Sequence, residues 1–350
     1  MNIDHFLKQT CEWLKGTGPN SDIVMSSRVR LARNLERVPF SHWATKKQAK
    51  ETLESLGQIV IGVDVLSNGL NIRMSEIDDV DKQFLFERHL VSREHIVHPE
   101  YKSVLIGDKE VISVMMNEED HLRIQVMQSG FNLQECWRIA SRLDDALHKR
   151  AKFAFNPEFG YLTACPTNTG TGLRASVMLH LPALVMTKQI SRVLHAITKL
   201  GMTARGLYGE GTEAEGNFFQ ISNQITLGSA EEDLIDNLER IIRQVTGHEE
   251  NARKTLMKQN REVLQDKIWR ANGTLCSAHI MNTKETMSLL SMVRLGVDIG
   301  LITDIDRRAV NELFILTQPA HLQKIEGRLL SSAQRDVKRA NLIRRRLEGK

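Results

Sequence analysis

The chain has 350 residues, of which 41% are hydrophobic and 26% charged, with only 22 Gly and 7 Pro. This composition excludes a disordered, collagen-like or low-complexity chain, and the length is sufficient for two domains. A net charge of +4 is too small to predict direct binding of nucleic acid. Because the sequence lacks a long apolar run, a secretory signal and a C-x-x-C pair among its four cysteines, we expect a cytoplasmic protein without a membrane span, zinc site or disulfide framework.

Helical and strand patterns alternate along the first 230 residues. Phe6, Leu7, Trp13 and Leu14 form one stripe, which predicts an amphipathic helix over residues 1–15. Thr45 is a suitable N-cap for the helical segment that follows it. Further helices are predicted at 132–151 and 183–200. Apolar segments predict strands at 103–107, 111–116, 122–126, 174–182 and 218–228.

Strand signals disappear after residue 230, and helical periods rich in Arg, Lys and Glu replace them. The pattern predicts an α+β fold with two domains. An α+β domain at 22–252 would be followed by a helical domain at 253–350.

Arginine recurs without lysine on the polar faces of the predicted strands. Side chains two residues apart on a strand share a face, so Arg28 lies beside Arg30, and Arg174 beside Ser176. A guanidinium binds phosphate oxygens through two donors and stays charged when partly desolvated. Glycine-rich turns such as CPTNTGTG (165–172) allow close backbone approach. The pattern favours a triphosphate site over a solvated sheet face, with the arginines Arg28, Arg30, Arg123, Arg174 and Arg205.

The segment NEEDHLRIQ (117–125) adds carboxylates to this polar face. Extended geometry places Glu119, His121 and Arg123 on one side. Glu118 and Asp120 then point away as turn or supporting residues. His121 is at least as consistent with a structural hydrogen-bonding role as with a nucleotide contact.

The usual nucleotide and metal signatures are absent from the sequence. It has no G-x-x-x-x-G-K-[ST] loop, no V-A-I-K, H-R-D and D-F-G set, and no H-E-x-x-H motif. An enzyme that uses a nucleoside triphosphate must therefore hold it on another scaffold.

Four motifs resemble those of the phosphagen kinases, the creatine and arginine kinase family. In chain order they are SSRVRLARN (26–34), NEEDHLRIQ (117–125), CPTNTGTGLRASV (165–177) and RGLYGEGTEAEG (205–216). The resemblance implies a catalytic domain built on an antiparallel sheet flanked by helices. It also implies transfer of the γ-phosphoryl group of ATP to a guanidinium nitrogen, with Mg²⁺ held through the nucleotide phosphates and no dedicated metal site.

The same resemblance assigns roles to individual residues. Glu119 and Glu210 match the catalytic carboxylates that hold and deprotonate the guanidinium. Cys165 matches the reactive cysteine of the family, although a buried small hydrophobe is an equal alternative for a lone cysteine. The implied ATP-binding residues are Ser26, Ser27, Arg28, Val29, Arg30, His89, Arg123, Arg174, Ala175, Ser176, Val177, Met178, Arg205, Gly206, Leu207, Tyr208, Gly209 and Glu210.

The order of the domains resembles the bacterial protein arginine kinases of this family. SSRVR begins at residue 26, which leaves no room for the N-terminal domain of small-guanidine kinases. The resemblance implies phosphorylation of arginine side chains in proteins, which marks them for the ClpC–ClpP protease, and a homo-oligomeric enzyme. It also implies control of the stress repressor CtsR and activation by McsA. Two alternatives remain, a kinase for free arginine or another small guanidine and a catalytically weak adaptor that binds phosphoarginine proteins.

The motif RDVKRA (335–340) lies on a predicted C-terminal helix. Its arginines are one helical turn apart and would ordinarily belong to a solvated helix face. Only the resemblance implies that Arg335, Asp336 and Arg339 form an allosteric phosphoarginine-binding site.

Overall fold

The chain up to Asn223 is built around an eight-stranded antiparallel sheet. The structure is a computed structural model that describes residues 3–206 and 215–347. The strands, including a separate two-stranded hairpin of β6 and β7, are β1 (Val24–Arg33), β2 (Leu70–Arg73), β3 (Ser103–Ile106), β4 (Ile112–Met116), β5 (Leu122–Ser129), β6 (Phe155–Asn156), β7 (Gly160–Tyr161), β8 (Leu173–His180), β9 (Met202–Arg205) and β10 (Phe218–Asn223). The order across the large sheet is β2-β3-β4-β5-β1-β8-β10-β9.

Helices flank the sheet and form most of the described chain after Asn223. They are α1 (His5–Lys8), α2 (Lys46–Ile61), α3 (Asp79–Glu87), α4 (Arg93–Ile96), α5 (Leu133–His148), α6 (Pro182–Met186), α7 (Ile190–Lys199), α8 (Glu231–Gln259), α9 (Arg261–Ser277), α10 (Thr283–Asp298), α11 (Arg307–Leu316), α12 (Pro319–Glu326) and α13 (Ser332–Leu347). The predicted α+β fold class is confirmed. No helix in the described ranges is long and apolar enough to cross a membrane.

The central strands have one apolar and one polar face because their sequences alternate. On β1, Val29 and Leu31 are fully buried in the main core, whereas Arg28 and Arg30 face the opposite side. Helices α5 and α8 cover the apolar face with residues such as Leu143. The polar face is left for the cleft described below.

Most predicted elements are confirmed, and the exceptions have local causes. Thr45 caps α2 in a capping box with Gln48. The helix predicted at 183–200 is two helices, because Lys188 adopts a left-handed φ of 59° between α6 and α7. The helix predicted at 1–15 is also wrong as a single element, since Gln9 is extended between α1 and a 3-10 turn at Glu12–Leu14.

Helix α8 continues across the domain boundary predicted between residues 252 and 253. Buried residues lie on both sides of that position. On the far side Arg253 donates to the carbonyl of Asp22 (3.1 Å) and to Glu249 (2.9 Å). Glu249 in turn accepts from the backbone N–H groups of Ala183 and Leu184 at the start of α6.

The C-terminal helices contact the sheet domain through α12 and α3. Glu87 accepts hydrogen bonds from the backbone N–H groups of Ala320 (2.9 Å) and His321 (3.1 Å). The His321 ring lies 2.8 Å from Glu87 through Nδ1 and packs against Phe84. Ala320 also joins the second apolar core, beneath β2, β3 and β4. One carboxylate of the sheet domain therefore caps a helix of the C-terminal region.

Candidate active site

A cleft of about 740 Å³ lies on the polar face of the sheet. It brings together residues that the sequence predicts to act together, although they are dispersed over much of the chain. These are Arg28, Arg30, His89, Glu119, Arg123, Arg174 and Arg205. The C-terminal region contributes Thr283, Gln318 and Pro319 to the same cleft.

Two of the arginines face each other directly across neighbouring strands. Arg30 of β1 pairs in register with Arg174 of β8. Like charges directly opposite each other destabilise a sheet. Burial, followed by the charges of Arg28, Arg123 and Arg174, lowers the pKa of Arg30 well below its ordinary value. Its Nε is buried without a hydrogen-bond partner among the described residues. An anion bound between the two strands would relieve this repulsion and accept a hydrogen bond from that Nε.

Arg28, two residues before Arg30 on β1, is held by two hydrogen bonds. Its Nε donates to the hydroxyl of Ser176 (3.3 Å) and its Nη2 to the amide oxygen of Gln220 (2.7 Å). Burial lowers the pKa of Arg28 to about 9, with smaller contributions from Arg123, Arg174 and Arg205. The group stays cationic at neutral pH, in a position fixed by two neutral acceptors.

The two adjacent glutamates of NEEDH differ in their surroundings. Glu118 is buried and accepts hydrogen bonds from Arg123, Ser92 and the backbone N–H of Glu119. Burial alone would raise the pKa of Glu118, but these partners lower it to about 2. Glu119 is exposed to the cleft, and burial, Asp120 and Glu118 raise the pKa of its carboxyl. Glu119 is thus the more basic carboxylate, and Glu118 holds Arg123 in place.

A narrow hollow adjoins the cleft and shares Arg28, His89 and Gln220 with it. His89 has a left-handed φ of 60° just after α3 and stacks edge-on against Trp13, with ring centroids 5.3 Å apart. Burial and the charge of Arg28 lower the pKa of His89 to about 3, so its ring is neutral at pH 7. The other predicted residues that line this hollow are Ser26, Ser176 and Met178.

Four of the predicted ATP-binding residues have side chains on the opposite face of the sheet. Val29, Ala175 and Val177 belong to the main core. The Ser27 hydroxyl is buried and donates to the carbonyl of Gly130 (2.9 Å). Their side chains support the arginine-bearing strands and do not reach the cleft.

Part of the fourth motif cannot be placed. Gly206 is buried directly after β9. The predicted residues Leu207, Tyr208, Gly209 and Glu210, which include the second catalytic carboxylate, lie outside the described residues.

The expectation that His121 shares the face of Glu119 and Arg123 is wrong. The His121 ring is buried, with Nδ1 3.0 Å from the backbone N of Leu35 and Nε2 2.9 Å from the carbonyl of Pro39. The reason is that β5 begins only at Leu122, after a turn in which Asn117 has a φ of 57°. Alternation along a strand does not apply to residues inside that turn.

Cys165 precedes a 3-10 turn at Pro166–Asn168, and its Sγ lies 3.0 Å from the Thr167 hydroxyl. It is half-buried. It is not among the described residues that line the cleft. A reactive role for Cys165 stays a prediction.

The RDVKRA motif lies on α13, but it is not a solvated face. The Arg339 side chain is buried and donates to the carbonyls of Thr317 and Met281, each at 2.8 Å, and to Asp336 at 2.6 Å. Arg335 donates to the carbonyl of Leu330. Arg339 thereby connects α13 to Met281, which precedes α10, and to Thr317, which precedes α12.

Several residues of the site carry no sequence signal that would assign them to it. Ser92, which supports Glu118, is recognisable only as an N-cap of α4. Gln220 and the C-terminal residues Thr283 and Gln318 reach the cleft through tertiary packing alone. Within the described part of the chain, no group of three or more His, Cys, Asp or Glu side chains is arranged to hold a metal ion.

The sequence matches two family models and has close full-length relatives. The model of the ATP:guanido phosphotransferase C-terminal catalytic domain matches residues 54–252. The model of the protein-arginine kinase McsB C-terminal domain matches residues 261–350. A protein-arginine kinase of Desulforamulus reducens is 50% identical over 96% of this chain and 95% of its own. One of Symbiobacterium thermophilum is also 50% identical, over 96% of each chain.

Among solved structures, the fold is similar to the duplicated taurocyamine kinase of Schistosoma mansoni with bound transition-state-analogue components. The TM-score is 0.62 at 27% identity. The match covers 67% of this chain and only 34% of that duplicated one.

Proposed function

Because the chain belongs to the ATP:guanido phosphotransferase family, as a relative of the protein-arginine kinases, we propose that it phosphorylates arginine side chains in proteins. It is an ATP-dependent phosphotransferase. The observation that carries the proposal is the cleft itself, in which a cluster of arginines lies beside an exposed carboxylate of raised pKa. The first feature fits a polyphosphate and the second fits a guanidinium.

The arginine cluster would bind the phosphates of ATP. Arg30 and Arg174, which repel each other across the strands, would share phosphate oxygens between them. Arg28 and Arg123 are already held in the cleft, by neutral acceptors and by the buried Glu118 respectively. Mg²⁺, held by the nucleotide phosphates and water, would further neutralise charge on the transferred group.

Glu119 would bind the substrate guanidinium and act as its base. A guanidinium is a poor nucleophile while fully protonated. As the bond from its nitrogen to the γ-phosphorus forms, the bond from that phosphorus to the bridging oxygen of ADP breaks. The nitrogen loses one proton, which Glu119 accepts. Burial and the neighbouring carboxylates raise the pKa of Glu119, which makes it a stronger base than an ordinary glutamate.

Support for a protein substrate comes from the relatives and from the cleft. The similar full-length relatives carry the name protein-arginine kinase. The cleft is also bordered by C-terminal residues such as Gln318 and Pro319. A polypeptide passing over this border would bring its arginine to Glu119.

The cellular role belongs to the same proposal and rests on the resemblance. The modified proteins would be degraded by ClpC–ClpP, the repressor CtsR would be among the targets, and McsA would activate the enzyme. The enzyme would act in the cytoplasm as a homo-oligomer.

The decisive experiment incubates the enzyme with Mg²⁺-ATP and, in separate reactions, with casein or free arginine. We expect acid-labile phosphate on arginine residues of casein, located by mass spectrometry, and little or none on free arginine. The matched control is Glu119→Gln, which should still bind ATP but transfer phosphate about 10²- to 10⁴-fold more slowly.

The reverse preference, for free arginine over casein, would make the protein a small-guanidine kinase. Binding of phosphoarginine proteins without any transfer would make it an adaptor. Near-normal transfer by Glu119→Gln would refute the assignment of the base.

A further inference from the structure

A carboxylate outside the predicted set lines the cleft. Glu94 lies on α4, and its side chain is exposed. It lines the same cleft as Glu119 and the arginine cluster. Among the described residues, no hydrogen bond or ion pair engages its carboxylate, so the group is available to a bound molecule.

The backbone beneath Glu94 is firmly held. The Ser92 hydroxyl caps α4 by accepting from the backbone N–H of His95 (3.1 Å). Lys102 donates to the carbonyls of Glu94 (2.7 Å) and Val97 (2.8 Å). The buried His95 ring lies 3.1 Å from the carbonyl of Ser103 on β3. These contacts fix α4 to the sheet and fix the point from which the Glu94 side chain extends.

The Glu94 carboxylate forms no ion pair with a neighbouring cation among the described residues, although Lys102 is close enough for the two charges to interact. The Lys102 ammonium is bound to backbone carbonyls and forms no ion pair with this carboxylate within the described chain. Arg93 is adjacent on α4 and also lines the cleft, but within the described chain no ion pair joins it to Glu94. Glu94 is near enough to Glu119 to contribute to its raised pKa, after burial and the nearer acidic residues. Two carboxylates, Glu94 and Glu119, therefore line the cleft together with the arginine-bearing strands.

We propose that Glu94 determines specificity by binding a positively charged side chain next to the target arginine. This inference rests on the proposed function. If Glu119 holds the target guanidinium, Glu94 presents a second carboxylate to the residues that flank the target arginine. Free arginine brings no second side chain, whereas a polypeptide brings neighbours whose Cα atoms lie about 3.8 Å apart along the chain. The preferred substrate is thus an arginine flanked by lysine or arginine.

The test uses peptides that each contain a single arginine, flanked on both sides by lysine, glutamine or glutamate. Lysine has no guanidino group, so the acceptor stays unique. For the wild type we expect kcat/KM to be about two- to fivefold higher with lysine than with glutamine, as for an exposed ion pair. In Glu94→Gln this preference disappears, and in Glu94→Lys the glutamate peptide becomes the better substrate. The KM for ATP should stay unchanged in both.

The matched control is Glu100→Gln, on an exposed residue of the same segment that does not line the cleft. It should keep the preference of the wild type. If Glu94→Gln keeps it too, or slows all peptides equally because Glu94 holds the target guanidinium itself, the proposal is overturned. If the wild type phosphorylates casein and these peptides without a charge preference, only this inference fails. No phosphorylation of any arginine by the wild type overturns the proposed function as well.

Discussion

Glu118 and Glu119 are neighbours in the chain with opposite shifts in pKa. Their difference arises from their partners, because Glu118 accepts from Arg123, Ser92 and a backbone N–H, while Glu119 faces the cleft. The buried residue supplies a fixed negative charge. The exposed residue is made more basic, in part by that charge. Glu118 therefore supports the site, and Glu119 is the carboxylate that we propose accepts the proton.

This coupling predicts a shifted pH profile in Glu118→Gln. Glu119 must be deprotonated to act, so activity falls as the pH drops through its raised pKa. Removing the Glu118 charge lowers that pKa, because one repulsion is lost and Arg123 still attracts the carboxylate. The acid limb of kcat/KM should move to lower pH. The maximal rate should also fall by about ten- to a hundredfold, because Arg123 loses its positioning partner.

The measurement is kcat/KM for a protein substrate across the acid range in the wild type and in Glu118→Gln. An acid limb at the same pH in both would show that Glu118 does not influence the catalytic base.

Arg30 gives a second residue-scale prediction. It faces Arg174 across the strands, so replacing it removes a repulsion from the nucleotide-free protein. We expect Arg30→Gln to unfold at the same temperature as the wild type or higher. Its affinity for ATP should nevertheless fall by about ten- to a hundredfold, because charge-assisted hydrogen bonds to phosphate are lost.

Calorimetry with and without ATP measures both effects in the same samples. Arg30→Lys should restore only part of the affinity, since an ammonium lacks the bidentate geometry. A less stable nucleotide-free Arg30→Gln protein would contradict the idea that the cluster is under electrostatic strain.

At the scale of elements, the contact between α3 and α12 depends on one buried carboxylate. Glu87→Gln replaces a charged acceptor of two backbone N–H groups and of the His321 ring. We expect a loss of about 1–3 kcal/mol in the free energy of unfolding. Hydrogen exchange should accelerate in Pro319–Glu326.

The matched control across the same contact is Lys324→Gln, which removes a partly exposed ion pair with Asp4 and Asp81. Lys324→Gln should lower the free energy of unfolding by about 1 kcal/mol or less. Equal losses of unfolding free energy in the two variants would mean that the hydrogen bonds from α12 to Glu87 stabilise the protein no more than a partly exposed ion pair does.

The sequence predicts the strands well because their alternation reflects a real difference between two faces. The same alternation predicts that Arg28, Arg30 and Arg174 share a cleft. It fails at His121, because a turn before β5 interrupts the extended backbone. The helical period likewise fails at Lys188, where a left-handed residue divides the predicted helix without a glycine or proline to mark the break.

Other parts of the site depend on contacts distant in sequence. Thr283 begins α10 and Gln318 precedes α12, whereas the arginine cluster lies on strands of the sheet. The approach of Gln318 to the cleft follows from packing of α12 against α3, which no local pattern encodes. The same limit applies to Arg339, whose burial contradicts the exposure expected from its basic surroundings.

At the scale of the molecule, the burial of Arg339 changes how the phosphoarginine-sensing prediction should be tested. Arg339→Ala removes three hydrogen bonds of a buried guanidinium, and we expect it to cost about 3 kcal/mol of stability. A loss of regulation in that variant would not separate sensing from folding. Asp336→Asn keeps the shape of a partly exposed side chain while removing its charge.

Asp336→Asn leaves the buried Arg339 with a neutral acceptor in place of its anionic partner, so we expect it to lower the melting temperature less than Arg339→Ala does but to lose stimulation by an added phosphoarginine peptide. The measurements are the melting temperature and the kinase rate against peptide concentration. Stimulation that matches the wild type would exclude Asp336 from the sensing site.

Helix α8 also affects how cooperatively the whole chain unfolds. At 29 residues it is about 43 Å long, and it crosses from the sheet into the C-terminal helices without a break. Cutting the chain at residue 252 would remove Arg253 and leave the buried Glu249 without its cation, at a cost of several kcal/mol. We therefore expect the part before residue 253 to be markedly less stable by itself. Heating should melt both parts of the chain in one transition, and a protease should find no linker between them to cut.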